Sequence, residues 1–390
     1  MARITSVLDT LTERGYIGQL SHEIEIRKLL IKEKISCFIR LDSSIDSLNL
    51  GHFVQIMVMA HMQRAGHKPI ILIDEYLSNK DIVTNSNRIK KQMEKIIDFA
   101  EEKAAMVNNS DWLPEIKYMD FLVEVGKYFS VPRMLTAECF NQETKQEISY
   151  LDLNSMVMKA YDFLELSRKY ESKLQLGIDK EWFNIIAGTD LIRKKEGKAT
   201  FGMSIAQLEE KELSNAENKV ISLDKEKTSP ADFYKYFRNV EEQNLERYLS
   251  FFTFLPIGQI KRFAAMQGRE LNEGKKALAF EATKIVHGKD AAHKARTEIE
   301  ALLAKEGNEK DMPSIYISRD VFNTSVVDIL IGIKILVSKG EGQRFIDQGS
   351  LYVNDAKITS IETPLTEADF SQGSVIIRRG KKNYTRLILK

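Results

Sequence analysis

The sequence predicts an α/β domain built on a Rossmann-like parallel sheet, followed by an all-α stretch and a small α+β module. Three observations predict it. "SCFIRLD" (36–42) and "KPIILID" (68–74) are apolar runs of strand length, and "GHFVQIMVMAHMQRAG" (51–66) between them carries apolar residues at helical spacing and ends in glycine. Strand, helix, strand within about 40 residues is a βαβ unit, which implies parallel strands joined by a right-handed crossover. After "KEKTSP" (225–230) the pattern changes, and from Pro230 to about Glu306 nearly everything reads as amphipathic helix. Beyond about Pro313 it changes again. A helix over 325–338, a short helix stopped by Gly349, a turn at Asn354-Asp355 and a basic last strand follow one another. Within the first part, further helices are predicted at 85–106, 117–129, 150–171 and 179–194.

The totals are those of an ordinary globular protein: 390 residues, 43% hydrophobic and 29% charged, enough for two or three cores. No run approaches the roughly 18 apolar residues of a membrane span. "MARITSVLDTLTERGYIG" reads as an amphipathic helix with acidic residues, unlike a secretory signal or transit peptide. Cys37 and Cys139 both lie in apolar context, which predicts buried free thiols in a reducing cytoplasm. His61 and His67 lack metal-ligand spacing with a carboxylate or cysteine, so no metal is expected. The net charge of +1 hides an asymmetry: Arg378, Arg379, Lys381, Lys382, Arg386 and Lys390 alternate with apolar residues, without an acidic residue among them. That alternation predicts a folded basic surface facing a polyanion.

"DSLNLGHF" (46–53) places Gly51 and His52 where the first strand gives way to a helix, a junction at which phosphates sit on backbone N–H groups. The structural alternative is that Gly51 permits close packing and His52 is a satisfied interior side chain. Both readings stand on the residues alone.

These segments resemble bacterial-type tyrosyl-tRNA synthetase, a class I aminoacyl-tRNA synthetase. "DSLNLGHF" resembles its His-Ile-Gly-His signature, and "QRAGHKPI", "MVNNSDWL", "VGKYFSVPRM", "KAYDFLEL" and "LQLGIDKEWFNIIAG" follow in the family's order. "LDKEKTSPADFYKYFRN", "ERYLSFFTFL" and "ALAFEATKIVHG" resemble its helical anticodon-side domain, and the residues from about 313 resemble its ribosomal S-four-type RNA-binding module. The resemblance implies a Rossmann-like synthetase-type domain over 1–225, a helical domain over 226–312 and an RNA-binding domain over 313–390. It also implies a homodimer, with "NNSDWL" and "VGKYFSV" at the interface, and tRNA as partner.

The resemblance implies a set of site residues, and many depart from the family's pattern. The phosphate cradle maps to Asn49, Gly51 and His52, with Asn49 in place of the first histidine. The glycine-rich nucleotide loop is replaced by the short, glycine-free "EYLSNKDIVTNS". The mobile lysine loop maps to "ELSNA", where both lysines are lost, to Glu212 and Asn215, unless Lys211 or Lys219 slips into register to compensate. Removing one such charge-stabilising donor costs about 100- to 1,000-fold in rate, so two would cost roughly 10⁴- to 10⁶-fold, with the Glu212 carboxylate expected to face the phosphates. The pocket that reads tyrosine maps to Phe38 and Asp162 for the phenol, Ser155 and Lys159 for the ammonium, and Lys180 and Glu181 for an aspartate–glutamine pair. Arg40, Asp42, Gln175 and Gly177 complete it, while the bulky Ile178 and Phe183 stand where the family has small glycines.

Two functions follow as expectations. One is a pseudo-synthetase that binds tRNA or structured RNA through Lys339, Arg344, Arg378, Arg379, Lys381, Lys382 and Arg386 and has lost tyrosine adenylation. The other is an active ligase or acid-adenylating enzyme using ATP with Mg. New positive charge at Lys159, Lys180 and Arg40 would then take a phenolic or anionic small molecule. In the first reading the pocket charges are internal ion pairs, Lys159 with Asp162 and Lys180 with Glu181 or Glu171.

Overall fold

The computed structural model describes residues 6–42, 45–74, 80–135, 149–214, 219–267, 270–310, 314–318, 321–354, 356–370, 373–380 and 383–389. Two compact units result, Met1–Thr297 and Glu298–Lys390.

In the first unit six strands form one sheet: β1 (Ile17–Leu20), β2 (Ser36–Asp42), β3 (Lys68–Asp74), β4 (Ala105–Asn108), β5 (Ser172–Ile178) and β6 (Phe201–Ile205), in the order β1-β6-β5-β2-β3-β4. Strands β2 to β6 are parallel, and β1 pairs antiparallel with β6 at the edge. The helices in chain order are α1 (Val7–Glu13), α2 (Glu23–Lys32), α3 (Leu50–Arg64), α4 (Lys80–Met93), α5 (Tyr118–Glu124), α6 (Val131–Met134), α7 (Tyr150–Tyr170) and α8 (Trp182–Glu196). The βαβ unit read from the sequence is β2-α3-β3, in register from Ser36↔Lys68 to Asp42↔Asp74. The chain steps outward from β2 to β4 and then returns to β5 on the other flank of β2. That reversal is the switch point at whose carboxyl edge α/β sheets bind ligands.

Helix boundaries depart from the sequence where the backbone turns left-handed. The helix expected over 85–106 stops at Met93. Glu101 and Glu102 sit at φ +51° and +56°, and Ala105–Asn108 becomes β4 by pairing with Ile70–Ile73. Likewise α14 (Val326–Gly332) ends before the expected 338, because Lys334 adopts φ +60°. Other ends fit their caps: Ser149 opens α7 with a capping box, and Glu171 at φ +51° closes it.

The helical stretch α9 (Pro230–Arg238), α10 (Leu245–Phe252), α11 (Ile257–Ala264) and α12 (Leu271–His287) belongs to the same compact unit. Arg14 ties it down by donating from Nη1 to the carbonyls of Ser250 (2.9 Å) and Thr253 (2.8 Å), and the Tyr16 hydroxyl donates to Phe251 O at 2.7 Å. Buried Phe53 meets Phe252 with ring centroids 5.2 Å apart, joining α3 to α10 in one core.

Helix α13 (Lys289–Lys310) precedes the sheet of the second unit. That unit holds β7 (Ser314–Ile317), α14, α15 (Lys339–Asp347), β8 (Leu351–Val353), β9 (Ala356–Lys357), β10 (Ser374–Arg379) and β11 (Asn383–Leu389), with strand order β7-β11-β10-β8-β9. Val327, Leu330, Leu336 and Ile346 of the helical side pack on Val375, Ile377 and Leu387 of one sheet face. The expected hairpin is β8–β9, with Val353 opposite Ala356 and Asn354 at φ +44°. No helix among the described residues is long and apolar enough to cross a membrane.

Candidate functional site

At the carboxyl edge of the sheet, period-2 alternation along β2 puts Phe38, Arg40 and Asp42 on one face. Phe38 is fully buried and meets Phe163 of α7 edge-on, centroids 5.0 Å apart. Arg40 reaches across to α7, where its Nη1 donates to Asp162 Oδ2 at 2.8 Å and lies 3.1 Å from Asp74 Oδ2. Its Nη2 donates to the Lys159 carbonyl at 3.1 Å. The other Asp162 oxygen, Oδ1, accepts from Trp112 Nε1 at 2.8 Å. Asn109 Nδ2 bridges the two carboxylates, 2.9 Å from Asp74 Oδ1 and 3.4 Å from Asp162 Oδ2. Arg40 and Asp162 side chains are 5% and 0% exposed, so this is a buried charged cluster. Burial pushes the Asp162 carboxyl above its usual range, while Arg40 and Trp112 pull it back.

The cluster corrects the expected pairing. Arg40 holds Asp162, whereas Lys159, one turn away on the same helix, contributes its backbone carbonyl. Residues three apart on a helix can be neighbours, but here both Asp162 oxygens are taken by Arg40 from the facing strand and by Trp112 and Asn109. Lys180 is exposed and pairs with neither Glu181 nor Glu171; Glu181 is instead turned over Gly177, where a Cβ would lie 2.8 Å from its Oε2. Ser155 donates back to Asp152 O along its own helix at 2.8 Å. Gln175 is buried beside Phe38 in the β2–β5 register, with Oε1 lacking a hydrogen-bond partner. Asp42 lies at the exposed end of β2. The structure therefore gathers Phe38, Arg40, Asp162 and Gln175, sets Gly177 against Glu181, and leaves the side chains of Ser155 and Lys180 outside the cluster.

Asp74, Asn109 and Trp112 went unnoticed in the sequence as site residues. Asp74 had a signal, since both apolar strands end in aspartate at the same edge. Asn109 and Trp112 sit in the "NNSDWL" segment expected at a dimer interface, yet they are 0% and 4% exposed and face Asp162. Val131 of the expected "VGKYFSV" segment is exposed, and so are Tyr118, Met119, Val123, Tyr150 and Leu151. The Tyr118 and Tyr150 hydroxyls are hydrogen-bonded to each other, which makes the two segments neighbours.

At the α3 N-terminus, Asn49 caps the helix. Its Oδ1 accepts from His52 N and its own N–H donates to His52 Nδ1, both at 3.2 Å. With Nδ1 accepting, the ring is neutral with its proton on Nε2, and burial pulls its pKa down to about 4. A Cβ on Gly51 would lie 3.3 Å from Asn49 Oδ1 and 3.6 Å from Leu213 Cδ2, so Leu213 packs against this terminus. The Leu223 N–H donates to Leu48 O at 2.8 Å, beside an isolated antiparallel bridge between Asn49 and Ser222.

Glu212 corrects a second expectation. Its carboxylate faces the helical stretch, 7% exposed, accepting from Arg247 Nη1 (3.2 Å), Tyr248 Oη (3.1 Å) and the Glu209 N–H (2.7 Å). A cation, a phenol and an amide satisfy the charge, which is why it turns inward. Asn215 lies outside the described residues, as do Cys139 and residues 75–79. Cys37 is a free, buried thiol whose pKa burial pushes up to about 12. His67 Nδ1 accepts from Ile35 N at 3.2 Å, and His61 lies edge-on to Phe254.

In the second unit the basic residues divide. Lys339 pairs with Asp328 at 3.0 Å, and Arg344 donates to Gly340 O at 3.3 Å along α15. Arg379 points to the helical side and donates to Ile335 O. Arg378 and Arg386 alternate to the opposite face, with the Arg378 guanidinium 3.7 Å from the Tyr352 ring centre. The single patch expected from the sequence is thus split, because residues next to one another on a strand face opposite sides. Lys381 and Lys382 lie outside the described residues.

A parallel α/β sheet with its charged cluster at the switch point, followed by helices and a small α+β unit, is the architecture of a class I aminoacyl-tRNA synthetase. The profile of the family "tRNA synthetases class I (W and Y)" matches residues 31–304, and that of the "Tyrosine--tRNA ligase SYY-like C-terminal domain" matches 304–387. A protein named tyrosine–tRNA ligase from Clostridium botulinum (strain Loch Maree / Type A3) is 48% identical over 409 residues, spanning 99% of this chain and all of the relative. One of the same name from Clostridium kluyveri is 46% identical over 406 residues with the same coverage. A C-terminally truncated mitochondrial tyrosyl-tRNA synthetase from Aspergillus nidulans superposes with a TM-score of 0.66 at 22% identity, over 76% of this chain and 93% of that one. The chain belongs to the tyrosyl-tRNA synthetase family.

Proposed function

We propose that this family member binds tRNA or a structured RNA through its second unit and does not make tyrosyl-adenylate. The observation that carries the reading is the state of Asp162. The resemblance assigns this carboxylate to the substrate phenol, and here both its oxygens are engaged by Arg40, Trp112 and Asn109 within the chain. The Asp162 side chain is 0% exposed, so a tyrosine hydroxyl would reach it only if this cluster opens, and leaving one partner of such a buried pair uncompensated costs about 3–5 kcal/mol. The phosphate side supports the same reading. The residues there do not fit an ATP cradle that stabilises growing charge. His52 is neutral, its Nδ1 accepts from Asn49 N in the cap and only Nε2 is left as a ring donor, and a buried carboxylate stands where a lysine is expected. The exposed apolar surface around Tyr118 and Tyr150 supports a homodimer.

The names of the relatives supply the competing reading, an active tyrosine–tRNA ligase requiring ATP and Mg. Tyrosine-dependent ATP–pyrophosphate exchange separates the two when run beside filter binding of bulk tRNA. Exchange at background with retained tRNA is expected, and turnover with tyrosine overturns the proposal.

A further inference from the structure

The second unit's sheet has a face that its helices do not cover. Register places Tyr384 of β11 opposite Arg378 of β10, Arg378 opposite Tyr352 of β8, and Tyr352 opposite Lys357 of β9. Cross-strand partners share a face, so these four form one row in which aromatic and cationic side chains alternate across four strands. Arg386 and Ser314 form the neighbouring row, and Tyr316 on β7, 61% exposed, extends the face beyond Ile388. The helical core lies on the other side, against Val375, Ile377 and Leu387. The described outward positions of the five strands include no acidic residue.

An α15 surface that only neutralises phosphates would bind duplex and single strand alike. This row offers something different. The Arg378 guanidinium carbon lies 3.7 Å over the centre of the Tyr352 ring, and Tyr384 stands on the next strand at about 5 Å. Arg378 Nε is buried without a hydrogen-bond acceptor, so the group is held there by stacking, not by an ion pair through that nitrogen. Planar groups presented side by side on an open basic sheet suit unpaired bases, whose faces a duplex hides.

We propose that this sheet face stacks unpaired RNA bases, with Tyr384 and the Arg378–Tyr352 pair as stacking surfaces and Lys357 at the flanking phosphates. The inference rests on the RNA-binding reading above and names the feature of the RNA it takes.

The test uses the full chain, fluorescein-labelled oligouridine, and a blunt RNA duplex of equal length. Tyr384→Ala should weaken oligouridine binding by about fivefold or more, leave duplex binding within about twofold and leave the salt dependence unchanged. Tyr384→Phe should bind as the unaltered chain does, because stacking needs the ring and not the hydroxyl. Unchanged oligouridine affinity in Tyr384→Ala overturns the inference while leaving the RNA reading in place; absence of any RNA binding by the unaltered chain removes both. Photocrosslinking of 4-thiouridine oligomers to the unaltered chain provides a readout free of folding effects. Adducts on the Tyr352 or Tyr384 peptides are expected, and adducts confined to α15 overturn the inference.

Discussion

Arg40 is a single residue whose placement decides how the old pocket reads. It sits on a strand between two carboxylates, Asp74 and Asp162, each of which would be a buried charge without it. Arg40→Ala is therefore expected to destabilise the first unit by about 3–5 kcal/mol in urea unfolding, more than emptying the same volume would explain. A loss below about 1 kcal/mol would mean that the cluster is solvated and open to ligand. Glu212 makes the complementary case. Glu212→Lys restores a cation to the lysine-loop position, but that side chain faces Arg247 and Tyr248. The variant should lose stability and gain no pyrophosphate exchange. At this scale the sequence was informative about which residue types had changed and silent about where they point. Asp162 and Arg40 could be named from it, but their pairing depends on the separation of β2 from α7. The inward turn of Glu212 depends on two side chains some 35 residues away in the helical stretch.

Elements were legible where local pattern and tertiary context agree. β2, α3 and β3 were readable because each is apolar at its own period, and the β8–β9 turn because Asn tolerates a left-handed backbone. β4 was read as the end of a helix. "AMVN" has no alternation of its own and becomes a strand only because β3 offers a partner edge. β1, β5 and β6 were also missed, although "SKLQLGI" and "FGMSI" alternate apolar with polar or small residues as strands do. In the second unit α14 and α15 approach closely at Gly342, where a Cβ would lie 2.6 Å from Val327 Cγ1. Gly342→Ala should cost about 1–3 kcal/mol by overpacking, read as a lowered midpoint for the second unit. An unchanged midpoint would show that Val327 can step aside.

For the whole molecule, the first unit carries a built-in acid sensitivity. Burial lowers the pKa of His52, His67 and His287 to about 4 and that of His61 to about 3. In the unfolded chain these rings take up protons below about 6.5, whereas the folded chain keeps them neutral. Stability is thus insensitive to them above pH 6.5 and falls as the pH drops from about 6.5 toward 4. Thermal midpoints at pH 7.5, 6 and 5 should decline in that order, and a flat profile would contradict the buried, neutral rings. The family and the division into α/β, helical and basic α+β parts were readable end to end from the sequence, because so many segments keep their order. Whether the chemistry survives was not, since it turns on the partners of one carboxylate.

Calorimetric titration of the full chain with tyrosine tests that point most directly. No saturable heat is expected up to millimolar tyrosine, because Asp162 is buried and already engaged by Arg40 and Trp112. Saturable binding at micromolar tyrosine, lost in Asp162→Asn, would contradict it.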